Sequence, residues 1–147
     1  MSTAMRSPRE TFEELIRAAL SSTPGDMADC YAPEVVIELP FAVDGLYPSR
    51  VENTREELRA RYQGHVAVRR YKNVSDVTIH ETADPDVIVA EYTLNGEMAA
   101  TDEPFSMRFV MVITVRDGYI VHSRDYSDPV AGARLLGRVP ELIAALT

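Results

Sequence analysis

The chain of 147 residues contains no tryptophan and a single cysteine. Cys30 has no second thiol to pair with, so the chain holds no internal disulfide and needs no oxidising compartment. No apolar stretch is long enough to span a bilayer, and the opening MSTAMRSPRETFEE lacks the apolar core of a signal peptide. The sequence therefore predicts a soluble, cytoplasmic protein with no membrane partner.

Positive charge is also scarce, because the net charge is −8 and no block of Lys and Arg stands out. An acidic chain repels phosphate backbones, which argues against a nucleic-acid partner. The three histidines show no metal-ligand spacing, and there is no cysteine cluster, Gly-rich phosphate loop or G-x-S-x-G motif. We therefore expect no metal and no cofactor.

What the chain does contain is an ordinary globular composition, 46% hydrophobic and 26% charged, which predicts one domain over residues 1–147. Apolar periodicity, caps and turn residues predict helices and strands in an α+β order, with a curved, mostly antiparallel sheet packed on N-terminal helices and a cone-shaped cavity between them. The predicted helices are 7–20, 26–32, 53–63, 128–136 and 140–146, with a Ser7–Glu10 capping box on the first and Asn53 with Glu56 capping the third. The predicted strands are 34–42, 74–81, 86–100, 105–115 and 119–126.

The last two strands are joined by Asp117 and Gly118, a strong signal for a two-residue hairpin turn. With those two as the loop, Arg116 faces Tyr119, and regular pairing follows along both strands. One face of the hairpin would then carry Arg108, Val110, Val112, Thr114, Val121, Ser123 and Asp125. The other would carry Phe109, Met111, Ile113, Ile120, His122, Arg124 and Tyr126.

This register places Asp125 among valines with Arg108 as a diagonal neighbour. Burial would raise the pKa of Asp125 and the guanidinium would lower it, so the pair could work as a general acid or base in an apolar pocket. An Arg–Asp pair that only ties two strands together explains the residues equally well. On the opposite face, His122, Arg124 and Tyr126 among large apolar groups predict a subunit interface and a two-fold homodimer.

The segments YAPEVVIELPFA, TREELRARY, DVIVAEY and RFVMVITVRDGYIVHSRDYSDP together resemble the SnoaL-like branch of the nuclear transport factor 2 superfamily, and most of all its phenazine-biosynthesis PhzA/PhzB-like group. The resemblance runs from the first helix to Pro129 and implies a cystatin-like α+β barrel that is dimeric and has a pocket between sheet and helices. The superfamily includes polyketide cyclases, ketosteroid isomerase and limonene epoxide hydrolase. The resemblance also implies that Asp125 acts as acid or base.

Two other mechanisms of the superfamily fit less well. Limonene epoxide hydrolase uses an Asp–Arg–Asp set, of which Asp125 and Arg108 match two members while the third falls at Val110. Ketosteroid isomerase carries its base in the first strand, where this chain has Leu39, and neighbouring Glu38 would point the other way.

The resulting hypothesis is a cofactor-independent isomerase, cyclase or dehydratase acting on a hydrophobic ring or carbonyl compound, with Asp125 and Arg108 as catalytic residues. The alternative is a non-catalytic ligand-binding or dimerisation module of the same fold. Further candidates for the pocket are His80, Glu91, Tyr31, Leu39, Phe41, Tyr62, Met107, Met111, Val110, Val112 and Ser123. For most of the apolar ones, plain core is the competing interpretation. For His80 it is a structural donor or an exposed side chain, and for Glu91 pairing with a basic group is the favoured interpretation.

Overall fold

The computed structural model describes residues 5–147, and its order of elements is helical first and sheet-rich afterwards. The helices are α1 (Pro8–Ala19), a 3₁₀ helix (Pro24–Cys30), α2 (Arg55–His65), α3 (Pro129–Leu135) and α4 (Val139–Leu146). The strands are β1 (Tyr31–Glu38), β2 (Arg50–Thr54), β3 (Arg69–Glu81), β4 (Val87–Met98), β5 (Pro104–Arg116) and β6 (Tyr119–Ser127).

The six strands form one sheet in the order β2-β1-β6-β5-β4-β3. Only β1 and β6 run parallel, and every other neighbouring pair is antiparallel. The α+β class and the mostly antiparallel sheet are therefore confirmed. The sheet does not close into a barrel, since β2 and β3 remain as its two edges.

One face of this sheet, the inner face, packs against α1, the 3₁₀ helix and α2. Alternate residues of the long strands point to it, and Ile113 and Ile120 are fully buried there. The helices supply Phe12 and Leu58, which are 1% and 0% exposed. Burying these apolar side chains is the main stabilising contribution to the fold. No helix of residues 5–147 is long and apolar enough to cross a membrane.

Helix starts are set by local side-chain caps. The predicted capping box of α1 is confirmed, because the Ser7 hydroxyl accepts from the Glu10 N–H and the Glu10 carboxylate accepts from the Ser7 N–H. The α2 cap is one residue later than predicted. Thr54 and Glu57 form it, since Asn53 still pairs with Val35 in the sheet.

Two strand predictions needed correction. Strand β2 was not predicted, and its last two residues, Asn53 and Thr54, were assigned to the following helix; its polar sequence RVENT suits an exposed edge. Strand β3 begins at Arg69 rather than at Val74, and its basic start pairs with the end of β4. The predicted helix 26–32 is a 3₁₀ helix that ends at Cys30, and β1 begins directly after it.

Candidate functional site

The hairpin of β5 and β6 contains a β-bulge that decides where its charged residues point. Arg116 pairs with Tyr119 and Val115 with Ile120, as predicted, but Thr114 then pairs with His122. Val121 is left as an extra residue without a partner on β5. A bulge shifts every later pair by one residue. Each later side chain of β6 therefore shares a face with the opposite set of β5 side chains from the one that regular pairing predicts.

The predicted register is therefore wrong for every pair beyond the bulge. Ser123 pairs with Ile113 and Asp125 with Met111, and both β5 partners belong to the buried core. Asp125 lies on the inner face, as expected, but among residues that were assigned to the other side. Val110 and Val112 pair with Tyr126 and Arg124 on the outer face of the sheet, the face away from the helices.

Arg108 is likewise on the outer face, so the predicted pair between Arg108 and Asp125 is wrong. Its guanidinium donates to the Thr93 hydroxyl at 2.9 Å and lies 4.0 Å from carboxylates of Asp76 and Glu91. The sheet itself separates Arg108 from Asp125, and Arg108 cannot set the protonation of that group by contact.

Asp125 has a hydroxyl partner instead of a cation. The Ser123 hydroxyl, which is fully buried, donates to Oδ1 of Asp125. Within residues 5–147, Asp125 makes no ion pair, and its Oδ2 has no hydrogen-bond partner. Burial raises the pKa of Asp125 from 3.8 to about 6, against opposing effects of the Ser123 hydrogen bond and the charge of His122. A carboxyl of this kind exchanges its proton near neutral pH.

Three tyrosines surround this carboxyl on the inner face. The Tyr62 hydroxyl donates to the Tyr31 hydroxyl at 3.1 Å, and the Tyr92 hydroxyl contacts the Met111 sulfur at 3.2 Å. Burial first, and the charge of Asp125 in addition, raise the pKa of Tyr62 to about 12 and hold those of Tyr31 and Tyr92 well above their usual value. All three remain neutral hydroxyls at pH 7.

A cavity of about 290 Å³ opens in front of Asp125, between the end of β6, the loop after β1 and α3. It is lined by Leu39, Phe41, Ala42, Tyr47, Arg69, Asp125, Ser127, Asp128, Pro129, Gly132 and Leu136. Leu39 and Phe41 were expected there. Ser123, Tyr31 and Tyr62 lie behind the wall rather than in it, because Ser123 and Tyr31 are 0% and 2% exposed and Tyr62 packs against the core.

A smaller cavity of about 80 Å³ adjoins the first and shares Arg69, Gly132 and Leu136 with it. The remaining lining residues are Tyr71, Leu94, Phe105, Met107, Phe109 and Leu135. The second cavity is therefore an almost wholly apolar annex. Met107, one of the candidate lining residues, belongs to it, whereas Met111 is buried in the core.

The other candidates from the sequence do not reach either cavity. His80 and Glu91 pair with each other on the outer face, with Nε2 and Oε2 2.6 Å apart. Val110 and Val112 are on that face as well. Sequence reasoning missed Arg69, Tyr47 and Tyr92. The alternation of Ile88, Ala90, Tyr92 and Leu94 along β4 was the signal for Tyr92.

Comparison with known proteins assigns the family. The profile of the SnoaL-like domain matches residues 12–123. The chain belongs to the SnoaL-like family. The matched segment covers the helices and most of the sheet but stops two residues before Asp125, so the family assignment does not itself define that residue's role.

Relatives of known sequence and structure agree with the SnoaL-like assignment. An uncharacterized PhzA/B-like protein of Pseudomonas aeruginosa is 32% identical over 114 residues, 76% of this chain and 77% of its own. A proposed isomerase from Bacillus subtilis has a TM-score of 0.79 at 24% identity, covering 89% of this chain and 93% of that one. A proposed polyketide cyclase from Streptomyces antibioticus has a TM-score of 0.65 at 25% identity, covering 90% and 99%. The shared architecture is the ketosteroid isomerase-like fold.

Proposed function

We propose that this SnoaL-like protein is a cofactor-independent acid/base enzyme of the isomerase, cyclase or dehydratase type. Its substrate would be a small, mainly hydrophobic ring or carbonyl compound held in the cavity in front of Asp125. The observation that carries the proposal is a carboxyl in an apolar cavity with a pKa of about 6 and one oxygen without a partner.

The step that these three reaction types share is proton transfer at a carbon beside a carbonyl group. The ionised Asp125 would take the proton through Oδ2, while Ser123 holds Oδ1 and so fixes the orientation of the carboxylate. The proton would return from Asp125 to another carbon in an isomerisation, to the alkoxide oxygen of the attacked carbonyl in a cyclisation, or to the leaving oxygen in a dehydration. The hydroxyls of Tyr31 and Tyr62 lie behind the cavity wall and stay neutral. Their dipoles would stabilise the charge that develops on the substrate.

The names of similar structures support the reaction class. Both solved structures described above, one named an isomerase and one a polyketide cyclase, share this fold over nine-tenths or so of the chain. Fold alone does not define chemistry, so the cavity and its carboxyl carry the argument.

The test is deuterium uptake from D₂O at the α-carbon of small enolisable ring ketones such as 2-tetralone, followed by proton NMR. The wild-type protein is expected to accelerate uptake, and Asp125→Asn to slow it roughly 100-fold or more. The rate should rise with pH through about 6, because the base must be ionised. Asp117→Asn, which removes a carboxyl from the hairpin turn outside the cavity, is the matched control.

The competing function is a ligand-binding or dimerisation module without chemistry. Equal uptake with wild type and Asp125→Asn, or none above background over the ketone panel, would favour it. Binding without turnover would then be the property to pursue.

We also propose a homodimer through the outer face of the sheet that carries His122, Arg124 and Tyr126. This face mixes valines with polar groups: Val110 and Val112 lie beside the side chains of Arg124 and Tyr126. Sedimentation of the wild type against Tyr126→Glu tests it, since a charge placed on the face should shift a dimer to monomer. Equal sedimentation of the two proteins at the monomer mass would reject it.

A further inference from the structure

Three cations begin strand β3 within four residues, and two of them are paired on the outer face. Arg70 Nη2 lies 3.0 Å from the Glu97 carboxylate and also bonds to Asp102. Lys72 Nζ lies 3.2 Å from the same Glu97 carboxylate. Their charges are therefore balanced by acids of the chain itself.

Arg69 is different, because strand alternation turns it to the inner face, where it lines both the main cavity and the annex. Its Nε donates to the Tyr71 hydroxyl at 2.9 Å, and the guanidinium lies 5.8 Å from the centre of the Tyr71 ring. Among residues 5–147 no carboxylate lies within ion-pair distance of it. A guanidinium has five N–H donors, and the four on Nη1 and Nη2 have no acceptor within residues 5–147.

Tyr71 holds this guanidinium in place. The hydrogen bond to Nε and the position over the ring fix the plane of the group, and Tyr71 in turn packs edge-on against Phe105 at 6.2 Å between ring centres. An arginine oriented in this way loses little conformational freedom when it binds a ligand. The free edge with both Nη atoms is the part left for an acceptor.

We propose that Arg69 is the ligand-anchoring residue of the cavity and that the ligand is a small aromatic or alicyclic monocarboxylate. The carboxylate would accept from Nη1 and Nη2, and the ring would lie against Leu39, Phe41 and Leu136. The proposal deepens the proposed function, on which it rests, by naming the substrate class of the same cavity.

Charge and size favour this class over other anions. The other charged lining residues are Asp125 and Asp128, so a dianion such as a phosphate monoester would meet one cation and two acids. A planar carboxylate matches the planar guanidinium with two parallel hydrogen bonds. The cavity of about 290 Å³ and the annex of about 80 Å³ are at the small end of ligand sites, which limits the body to one or two rings.

The experiment compares acids with their uncharged amides. Benzoate, cyclohexanecarboxylate and 2-naphthoate, each beside its carboxamide, are titrated by calorimetry into the wild type, Arg69→Gln and Arg70→Gln. At least one acid is expected to bind the wild type tenfold or more tighter than its amide. Arg69→Gln should weaken that acid by roughly 10- to 100-fold and leave the amide unchanged, while Arg70→Gln should change neither.

Arg69→Lys is a second variant, which controls for disruption of the structure by Arg69→Gln. Lysine keeps the positive charge but cannot form two parallel hydrogen bonds, so this variant should bind the acid more tightly than Arg69→Gln does and the amide equally well. Equal binding of acid and amide by the wild type, equal losses for both with Arg69→Gln, or no binding of any acid at millimolar concentration would each overturn the proposal.

The two proposals fail separately. Loss of the acid's preference while Asp125→Asn still slows deuterium uptake would remove only the anchoring role of Arg69. Retained uptake in Asp125→Asn together with Arg69-dependent acid binding would remove only the catalytic role of Asp125.

Discussion

Two carboxylates on the strands that flank β5, Glu91 of β4 and Asp125 of β6, lie on opposite faces of the same sheet. Glu91, on the outer face, is 2.6 Å from His80 Nε2 and 4.0 Å from Arg108. Asp125, on the inner face, has a hydroxyl partner and no cation among residues 5–147. On the outer face Glu91 lies beside two basic partners, whereas Asp125 and Arg69 on the inner face make no ion pair among residues 5–147.

This contrast shows that the face of the sheet on which a carboxylate lies decides its partners and its burial, whichever acidic residue carries it. A surface ion pair is screened by water and contributes little, whereas the burial of Asp125 raises its pKa to about 6. The same chemical group therefore has a structural role on one side of the sheet and is available for chemistry on the other. The following changes test the contrast from the largest expected effect to the smallest.

The largest effect is expected from the core side of β5. Ile113 is 0% exposed, so Ile113→Ala should lower the free energy of unfolding by about 2 to 5 kcal/mol. Val112→Ala on the outer face should lower it by about 1 kcal/mol or less. Urea denaturation of both variants measures the difference. A larger loss for Val112→Ala than for Ile113→Ala would contradict the bulge and support the regular register, in which Val112 lies on the inner face with Asp125.

The second-largest effect is expected in the pH dependence of the free energy of unfolding, which Asp125→Asn should change. The folded state raises this pKa from 3.8 to about 6, so the native protein binds the proton more tightly than the unfolded chain does. The stability contribution is full below about pH 4, falls as pH rises to about 6 and stays low above it. Its loss amounts to roughly 2 to 3 kcal/mol.

Asn does not ionise, and its Oδ1 can still accept from Ser123. Asp125→Asn should therefore be more stable than the wild type at pH 8 by about 2 kcal/mol, with a smaller difference at pH 5. Denaturation at both pH values checks this, with Asp117→Asn as control. A difference that is the same at pH 5 and pH 8 would show that Asp125 is solvated like an ordinary surface acid.

The smallest effect is expected for the outer pair. In a double-mutant cycle of His80→Gln and Glu91→Gln, the coupling energy should be below about 1 kcal/mol and should fall further in high salt. The two side chains are 50% and 38% exposed, so water competes with their contact. A larger coupling would mean that the outer face is covered in solution, as in the proposed dimer.

Much of the fold was predictable because its signals are local. The Ser7 capping box, the four long strands and the Asp117–Gly118 turn were all found in short stretches of sequence. The turn adopts positive φ at both residues, 54° and 81°, as such a hairpin requires. Strand β2 and the start of β3 were missed because their polar sequences gain strand structure only from pairing with β1 and β4.

The candidate site was predictable only in part. Leu39, Phe41 and Asp125 reach the cavity, but Arg108, His80, Glu91, Val110 and Val112 do not. For Arg108, Val110 and Val112 the error has one origin, the extra residue Val121, which no rule of strand alternation reveals. Arg69 was missed because, in a basic stretch such as RRYK, the sequence does not show which cation lacks a partner.

The sequence by itself determined the alternation over residues 122–126 of β6, so Ser123 and Asp125 had to point one way and His122, Arg124 and Tyr126 the other. Tertiary structure alone decided which of those directions is the inside, through the bulge at Val121 and the packing of the helices on one face. Alternation depends on backbone geometry between adjacent residues, whereas burial depends on contacts between distant segments. The pKa of Asp125 and the free edge of Arg69 follow from burial, and so does any chemistry that this SnoaL-like protein performs.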